Sequence, residues 1–205
     1  MKSIAIMGAS GHCKVIAEIA LQNGYDSIVF VDKNPSIEML GEYLVADEDA
    51  DLDIFIKAGY DFVVGIGDAK IRSKVQKMLV EKGANIVTLV HPTASIAFDS
   101  ELGTGTVVMA RAVVNPGSKV GEGCIINTCA SVDHDNVIGD YAHISVGAHT
   151  AGNVTIGEYT WLGIGAVVSN NISICADAFI GAGAAVVKDI VKPGKYAGVP
   201  AKKIR

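Results

Sequence analysis

VGEGCIINTCASVDHDNVIGDYAHISVGAHTAGNVTIG, residues 120–157, carries an aliphatic side chain at every sixth position: Val120, Ile126, Val132, Ile138, Ile144 and Ile156, with Thr150 the one departure. Extended in both directions, the phase runs without insertion from Val90 to Val186, and sixteen of its seventeen positions are Val, Ile or Leu. The residue two places earlier is mostly small, as at Ala94, Thr106, Ala112, Ser118, Cys124, Ala130, Ala142, Ala148, Thr160, Ala166 and Ala184. Residues two apart on a strand face the same way. A large and a small side chain therefore alternate inside a narrow tube. A fixed period this short is the hexapeptide repeat of a left-handed parallel β-helix. Glycine follows the aliphatic residue at 103, 121, 139 and 157, one triangular coil of eighteen residues apart, and again at 163 and 181. Glycines at fixed places suit corners that need positive φ. The stretch supplies roughly five coils, enough to stack a continuous core.

Residues before the repeat follow another pattern. Apolar runs at Ser3–Met7, Ile28–Val31, Asp61–Ile66 and Ile86–Val90 alternate with helical spacing at Lys14–Asn23 and Ile71–Lys82. Alternating strands and helices predict a parallel, Rossmann-like α/β sheet. The expected organisation is an α/β domain over 1–88 and a β-helix domain with a C-terminal tail over 89–205. In a parallel sheet, ligands bind beyond the C-terminal strand ends. Three such ends stand out: Gly8–His12 (GASGH), Asp32–Asn34 and Gly65–Asp68. The two glycines of GASGH let a backbone approach a ligand, and the helix start that follows attracts phosphate. The motif is not G-x-G-x-x-G, so a dinucleotide is poorly supported. Asp32 suits a ribose hydroxyl, and Lys33 adds a positive charge beside it. Read blandly, these are tight βα turns with Asp32 as a cap. Together they point to a nucleotide or nucleotide-sugar.

Half of the 205 residues are hydrophobic, yet no apolar run reaches the ~18 residues of a membrane span. The opening MKSIAIMGASG lacks a signal-peptide layout. Four cysteines, at 13, 124, 129 and 175, show no CxxC spacing, which suits a reducing, cytoplasmic compartment. A net charge of −5 without a basic block argues against nucleic acid as a partner.

The chemistry candidates are histidines. His134 follows Val132 by two places, where the chain turns out of the tube, and lies between Asp133 and Asp135. A carboxylate beside an imidazole orients the ring and stabilises its protonated form, the usual general-base arrangement. Adjacent strand residues point opposite ways, so such a pair needs a corner or a neighbouring chain. The bland alternatives are a solvated turn histidine and, for Asp133, a solvated corner residue. His143 and His149 hold the same phase of consecutive hexads and are expected to project outward on adjoining faces. Three histidines within sixteen residues can ligate zinc. The H-x-x-x-x-H of β-helical carbonic anhydrases is not met, because His143 and His149 are six apart. No metal is assigned.

GASGH, Asp32, VGIGDAKIR (64–72), HPTA, VDHDNVIGDYAHISVGA, AGNVTIG, LGIG and the closing GVPAK are together familiar. The chain resembles the bacterial sialic acid O-acetyltransferase/nucleotide-sugar N-acetyltransferase family of hexapeptide enzymes, nearest to members that acetylate 4-amino sugars of the bacillosamine type. The resemblance implies an acetyl-CoA-dependent N-acetyltransferase acting on the 4-amino group of a nucleotide sugar. It implies His134 as catalytic base and Asp135, often Glu in relatives, as the group raising its basicity. It implies contacts to acetyl-CoA from His143 and from the backbone at Ile164 and Ala182, where a relative has Gly. It places the nucleotide on Ser10, Gly11, His12, Asp32, Lys33 and Gly67. A relative has a second acid in place of Lys33 and Lys in place of His149, and no role passes to His149. A backbone N–H near Gly152 is a candidate oxyanion donor. Homotrimers with the cofactor between subunits are also implied. The alternatives are O-acetylation of a sialic acid, a zinc enzyme of the carbonic anhydrase type, and a non-catalytic nucleotide-binding scaffold.

Overall fold

The structure is a computed structural model and describes residues 2–34 and 36–204. The chain divides into two compact units, Met1–Pro92 and Thr93–Arg205.

In the first unit the elements run β1 (Ser3–Met7), α1 (Gly11–Gln22), β2 (Ser27–Asp32), β3 (Met39–Leu40), β4 (Tyr43–Asp47), α2 (Glu48–Lys57), β5 (Asp61–Val64), α3 (Ala69–Glu81) and β6 (Asn85–Ile86). The sheet order is β3-β4-β2-β1-β5-β6. It is parallel except where β3 meets β4. Ala5, Met7, Val29, Val31, Phe62 and Val64 pack with Leu52, Val75 and Leu79 in its core. Burying such side chains stabilises by about 1.5–3 kcal/mol each. Two helices start on aspartate caps: Asp47 accepts from the N–H groups of Asp49 and Ala50, and Asp68 from that of Ile71.

Two expectations need revision here. The β4–α2 pair did not stand out in the sequence, because α2 (EDADLDIFIK) is rich in acid and buries only Leu52. The run at Ile86–Val90 is not one strand. Asn85–Ile86 pairs with β5, whereas Leu89–Val90 is a separate strand.

In the second unit nearly every strand is two residues long, and each hexad supplies one. Strands recur every eighteen residues and stack in parallel to form three faces of a left-handed β-helix. Two of these faces carry the functional candidates. One stacks Val107, Ile125, His143, Trp161 and Phe179 in register. Another stacks Ser95, Val113, Ser131, His149 and Val167. The repeat residues point inward: Val108, Val114, Ile126, Val132, Ile144, Ile156 and Leu162 are all buried. Thr150 is buried too, and its hydroxyl donates to the Ser131 carbonyl.

The corners correct the sequence reading of the glycines. Positive φ falls three places after the repeat residue, not one. It recurs every sixth residue from Gly105 to Gly183 and includes Arg111, Cys129, Asp135, Tyr141, Asn153, Tyr159, Asn171 and Asp177, with φ between 57° and 60°. The left-handed conformation is unfavourable for such residues, but it aims corner N–H groups at acceptors of the preceding coil, the Thr93 hydroxyl for Arg111 and carbonyls for others. Asp135 donates to Pro116, Asn153 to His134, Asn171 to Gly152, and Gly183 to Ile164. The glycines at 103, 121, 139, 157 and 163 serve a different need. A Cβ on any of them would come within about 2.6 Å of an atom of the next coil. They permit the coils to stack closely.

Candidate active site

His134 stands at a corner, with its backbone N–H donating to Asp133 Oδ1 at 2.8 Å. Asp135 is the left-handed residue of that corner, and this brings two adjacent side chains to the same side. His134 Nδ1 lies 2.8 Å from Asp135 Oδ2. A carboxylate only accepts, so Nδ1 carries the proton and Nε2 keeps its lone pair. Both side chains are more than half exposed. The hydrogen bond to Asp135 raises the imidazole above its usual range, against desolvation and with the charges of Asp133 and Asp135 adding to it. Asp133 is more than a solvated corner residue. It accepts from Asn115 Nδ2 at 2.8 Å as well as from the His134 N–H, and these bonds hold its pKa below the ordinary carboxylate range.

Gly152 occupies the same corner one coil later. A Cβ there would stand 2.4 Å from Cε1 and Nε2 of His134. The glycine thus leaves room for the ring. Its carbonyl is engaged by the Asn171 N–H.

His143 does not project into solvent as its phase suggested. It is 5% exposed, bonds through Nε2 to Asn127 Nδ2 at 3.0 Å and packs on Trp161 with centroids 4.4 Å apart. His149, on the neighbouring face, is exposed and bonds to Ser131 Oγ through Nδ1. Val146, Ile164 and Ala182 mark successive coils of the corner that follows His143, and all three are exposed. Within one chain the structure therefore gathers the candidates into two groups. His134, Asp135 and Gly152 share one corner; His143 leads to the corner of Ile164 and Ala182. No three His, Cys, Asp or Glu residues form a metal-holding cluster among the described residues.

In the α/β unit, the C-terminal ends of β1, β2 and β5 converge as the parallel order requires. Asp32 ties two of these ends together: Oδ2 accepts from the Ala9 N–H and Oδ1 from the Asn34 N–H. Gly65 has no room for a Cβ, which would sit 2.5 Å from Cys13 Sγ. Ser10 starts α1 from an extended conformation without a side-chain capping bond, and Gly11 begins the helix in open space. His12 is largely buried, and burial, then the Arg72 charge, lowers its pKa to about 4. The buried Arg72 donates to the carbonyls of Ile66 and Gly67 and fixes that loop.

Beside these loops lies a cleft of about 340 Å³ lined by Gly8, Asp32, Lys33, Glu48, Ile66 and Lys74, among others. Asp32 and Lys33 line it directly. Ser10, Gly11, His12 and Gly67 belong to the bordering loops. Glu48, which pairs with Lys33 at 3.4 Å, and Lys74 were missed in the sequence. Glu48 opens the helix whose periodicity is weak. Lys74 lies one turn beyond the GIGDAK turn on α3.

A β-helix with an Asp-oriented histidine at an open corner, joined to an α/β unit with a cleft at its strand ends, defines a hexapeptide-repeat acyltransferase. Residues 3–79 match the PglD N-terminal domain family. The UDP-N-acetylbacillosamine N-acetyltransferase of Bacillus subtilis (strain 168) is 34% identical over 113 residues, covering 54% of this chain and 52% of that protein. The matched region thus spans about half the length of that curated relative. The acetyltransferase domain of PglB from Neisseria gonorrhoeae FA1090 superposes with a TM-score of 0.94 at 36% identity, covering 100% of both chains. PerB from Caulobacter crescentus, solved with CoA and GDP-perosamine, gives a TM-score of 0.94 at 35% identity over 100% of this chain and 98% of that one. The chain belongs to this family of hexapeptide-repeat nucleotide-sugar N-acetyltransferases.

Proposed function

We propose that the protein transfers the acetyl group of acetyl-CoA to the 4-amino group of a nucleotide-linked amino-deoxy sugar, with His134 as general base. The observation that carries this reading is the His134–Asp135 pair, held at an open corner against Gly152. Nε2 accepts a proton as the sugar amine attacks the thioester carbon. Asp135 and Asp133 compensate the imidazolium, and the proton passes to the departing thiolate. A preorganised donor is needed for the oxyanion that forms, and the backbone at Gly152, which lies against the imidazole edge, is the candidate. The nucleotide occupies the cleft at Asp32 and Lys33, with its phosphates toward Ser10, Gly11 and His12 at the start of α1 and Gly67 alongside.

Acetyl-CoA would meet His143 and the exposed, apolar corner of Ile164 and Ala182. Because that corner is distinct from the one holding His134, a symmetric trimer with the cofactor between copies would complete each site. Exposed aliphatic residues on the helix, Val137 at 48% and Val167 at 43%, suit such packing. The free cysteines suit a reducing cytoplasm. Among the described residues no helix is long and apolar enough to cross a membrane.

The test is release of free CoA thiol from acetyl-CoA with UDP-, GDP- and dTDP-linked 4-amino sugars, run beside sialic acids. Turnover with a 4-amino sugar nucleotide that disappears in His134→Ala is expected. Turnover with sialic acids alone would overturn the N-acetyl assignment, and full activity in His134→Ala would overturn the base.

A further inference from the structure

Inside the β-helix, a polar side chain in the small-residue slot repeatedly donates to the carbonyl fifteen residues on. Ser100 Oγ reaches Asn115 O at 3.0 Å, Thr106 reaches Gly121 at 2.8 Å, Ser118 reaches Asp133 at 2.6 Å and Thr160 reaches Cys175 at 2.9 Å. Cys124 does the same with its thiol, at 3.2 Å. Each bond ties a corner to the coil before it. Asn136 keeps this rule, since its Nδ2 donates to Ala151 O at 2.9 Å.

Asn136 also does something the others do not. The same Nδ2 donates to the carbonyls of Asp133 at 2.8 Å and His134 at 3.0 Å. Two amide hydrogens thus serve three carbonyls, two of them in the corner that carries the imidazole. Both carbonyls have a second donor as well: Ser118 Oγ for Asp133 and the Asn153 N–H for His134. The peptide units flanking His134 are pinned from inside the tube. Ala151, the third acceptor, directly precedes Gly152, against which the ring lies. One side chain therefore joins the two turns whose spacing sets the position of Nε2.

This arrangement is costly where it stands. Asn136 is fully buried, and its Oδ1 has no hydrogen-bond partner among the described residues, a state that opposes folding. The same slot on the next two coils holds Val154 and Ile172, which pack without any such cost. The tube itself does not need an amide there.

We infer that Asn136 is a positioning residue, which locks the His134 corner onto the Gly152 corner and so sets the base for proton transfer. The inference rests on the reading of His134 as the base. Its test is Asn136→Thr, because a threonine hydroxyl can keep the coil-to-coil bond to Ala151 that Thr106 and Thr160 make to their own carbonyls, while losing both bonds to the His134 corner. We expect a folded protein whose KM values for acetyl-CoA and sugar nucleotide stay within about twofold and whose kcat falls about ten- to a hundredfold, the scale for a misplaced catalytic group. The NMR titration of the His134 ring should move toward an ordinary histidine as its bond to Asp135 loosens.

Two controls separate the possible failures. If His134→Ala is inactive while Asn136→Thr keeps full kcat and an unchanged titration, the role of Asn136 is overturned and the base stands. If His134→Ala retains turnover, the base reading fails and this inference fails with it. Should Asn136→Thr not fold, Asn136→Cys, which repeats the Cys124 arrangement, takes its place. Failure of both to fold would assign Asn136 to the scaffold alone and overturn the inference.

Discussion

The Cε1–Nε2 edge of His134 lies directly against Gly152, so closely that a methyl group there would stand 2.4 Å from both ring atoms. Gly152 has no positive φ, so alanine suits its backbone. The clash falls on the end of an exposed side chain, which can swing aside. Gly152→Ala should therefore fold normally and displace the base. We expect kcat to fall by about a hundredfold, the penalty for a catalytic group moved by roughly an ångström, with the melting temperature nearly unchanged. Steady-state kinetics and a thermal scan on one preparation check both halves. A large loss of stability, or undiminished kcat, would contradict the geometry.

The pH profile follows from the same pair. Asp135 raises the imidazole chiefly through its hydrogen bond, with the charges of Asp133 and Asp135 adding to it. A general base works only when neutral, so kcat/KM should rise with pH through this elevated value. Asp135→Asn keeps a residue type that tolerates the left-handed corner but removes the carboxylate. Its acid limb should shift to lower pH, and its plateau should fall because the ring loses its orienting partner. A kcat/KM profile of the two proteins decides. An unshifted acid limb would show that the limb belongs to another group.

The β-helix was legible because its interior admits only one side-chain pattern, and Val90 to Val186 display it. The corner histidine was legible for the same reason, since counting from Val132 puts His134 where the chain turns. Phase alone did not show what covers an outward residue. His143 carries the outward phase, yet Trp161 and Asn127 enclose it. Nor did phase separate two uses of glycine, because close stacking at Gly103 and positive φ at Gly105 both recur with the coil. Asn136 left one sign: it breaks the run of small residues two places before Ile138. The α/β cleft was half legible. Asp32 and Lys33 follow an obvious strand, whereas Glu48 comes from a helix whose apolar stripe is too thin to read.

His12 links the α/β unit to acid stability. Burial, then the nearby Arg72 charge, lowers it to about 4 from 6.5. An unfolded chain takes up this proton as pH falls through 6.5, whereas the folded chain resists until about 4. The unfolded state then binds more protons, so stability declines as pH drops across that window. His12→Gln removes this contribution. Its melting temperature should depend less steeply on pH between 6.5 and 4 than that of the parent, as measured by thermal denaturation across the range. Parallel curves for the two proteins would show that His12 does not resist protonation.

The two roles of glycine in the helix predict opposite responses to substitution. Gly157 lies where a Cβ would stand 2.3 Å from Ala176 N and 2.6 Å from Cys175 C, both backbone atoms of the next coil. Neither can move without spreading the stack, so Gly157→Ala should destabilise by about 1–3 kcal/mol or more, as overpacking of a tight interior does. Arg111 presents the reverse case. It holds φ at 57° on the surface, a conformation in which glycine has no Cβ penalty, so Arg111→Gly should stay within about 1 kcal/mol of the parent. Adding one carbon at 157 should thus harm the fold more than removing an entire side chain at 111. Denaturant melts of the two variants test the contrast. Equal losses, or a larger loss at 111, would mean that close coil stacking is not what the glycines after the repeat residue provide.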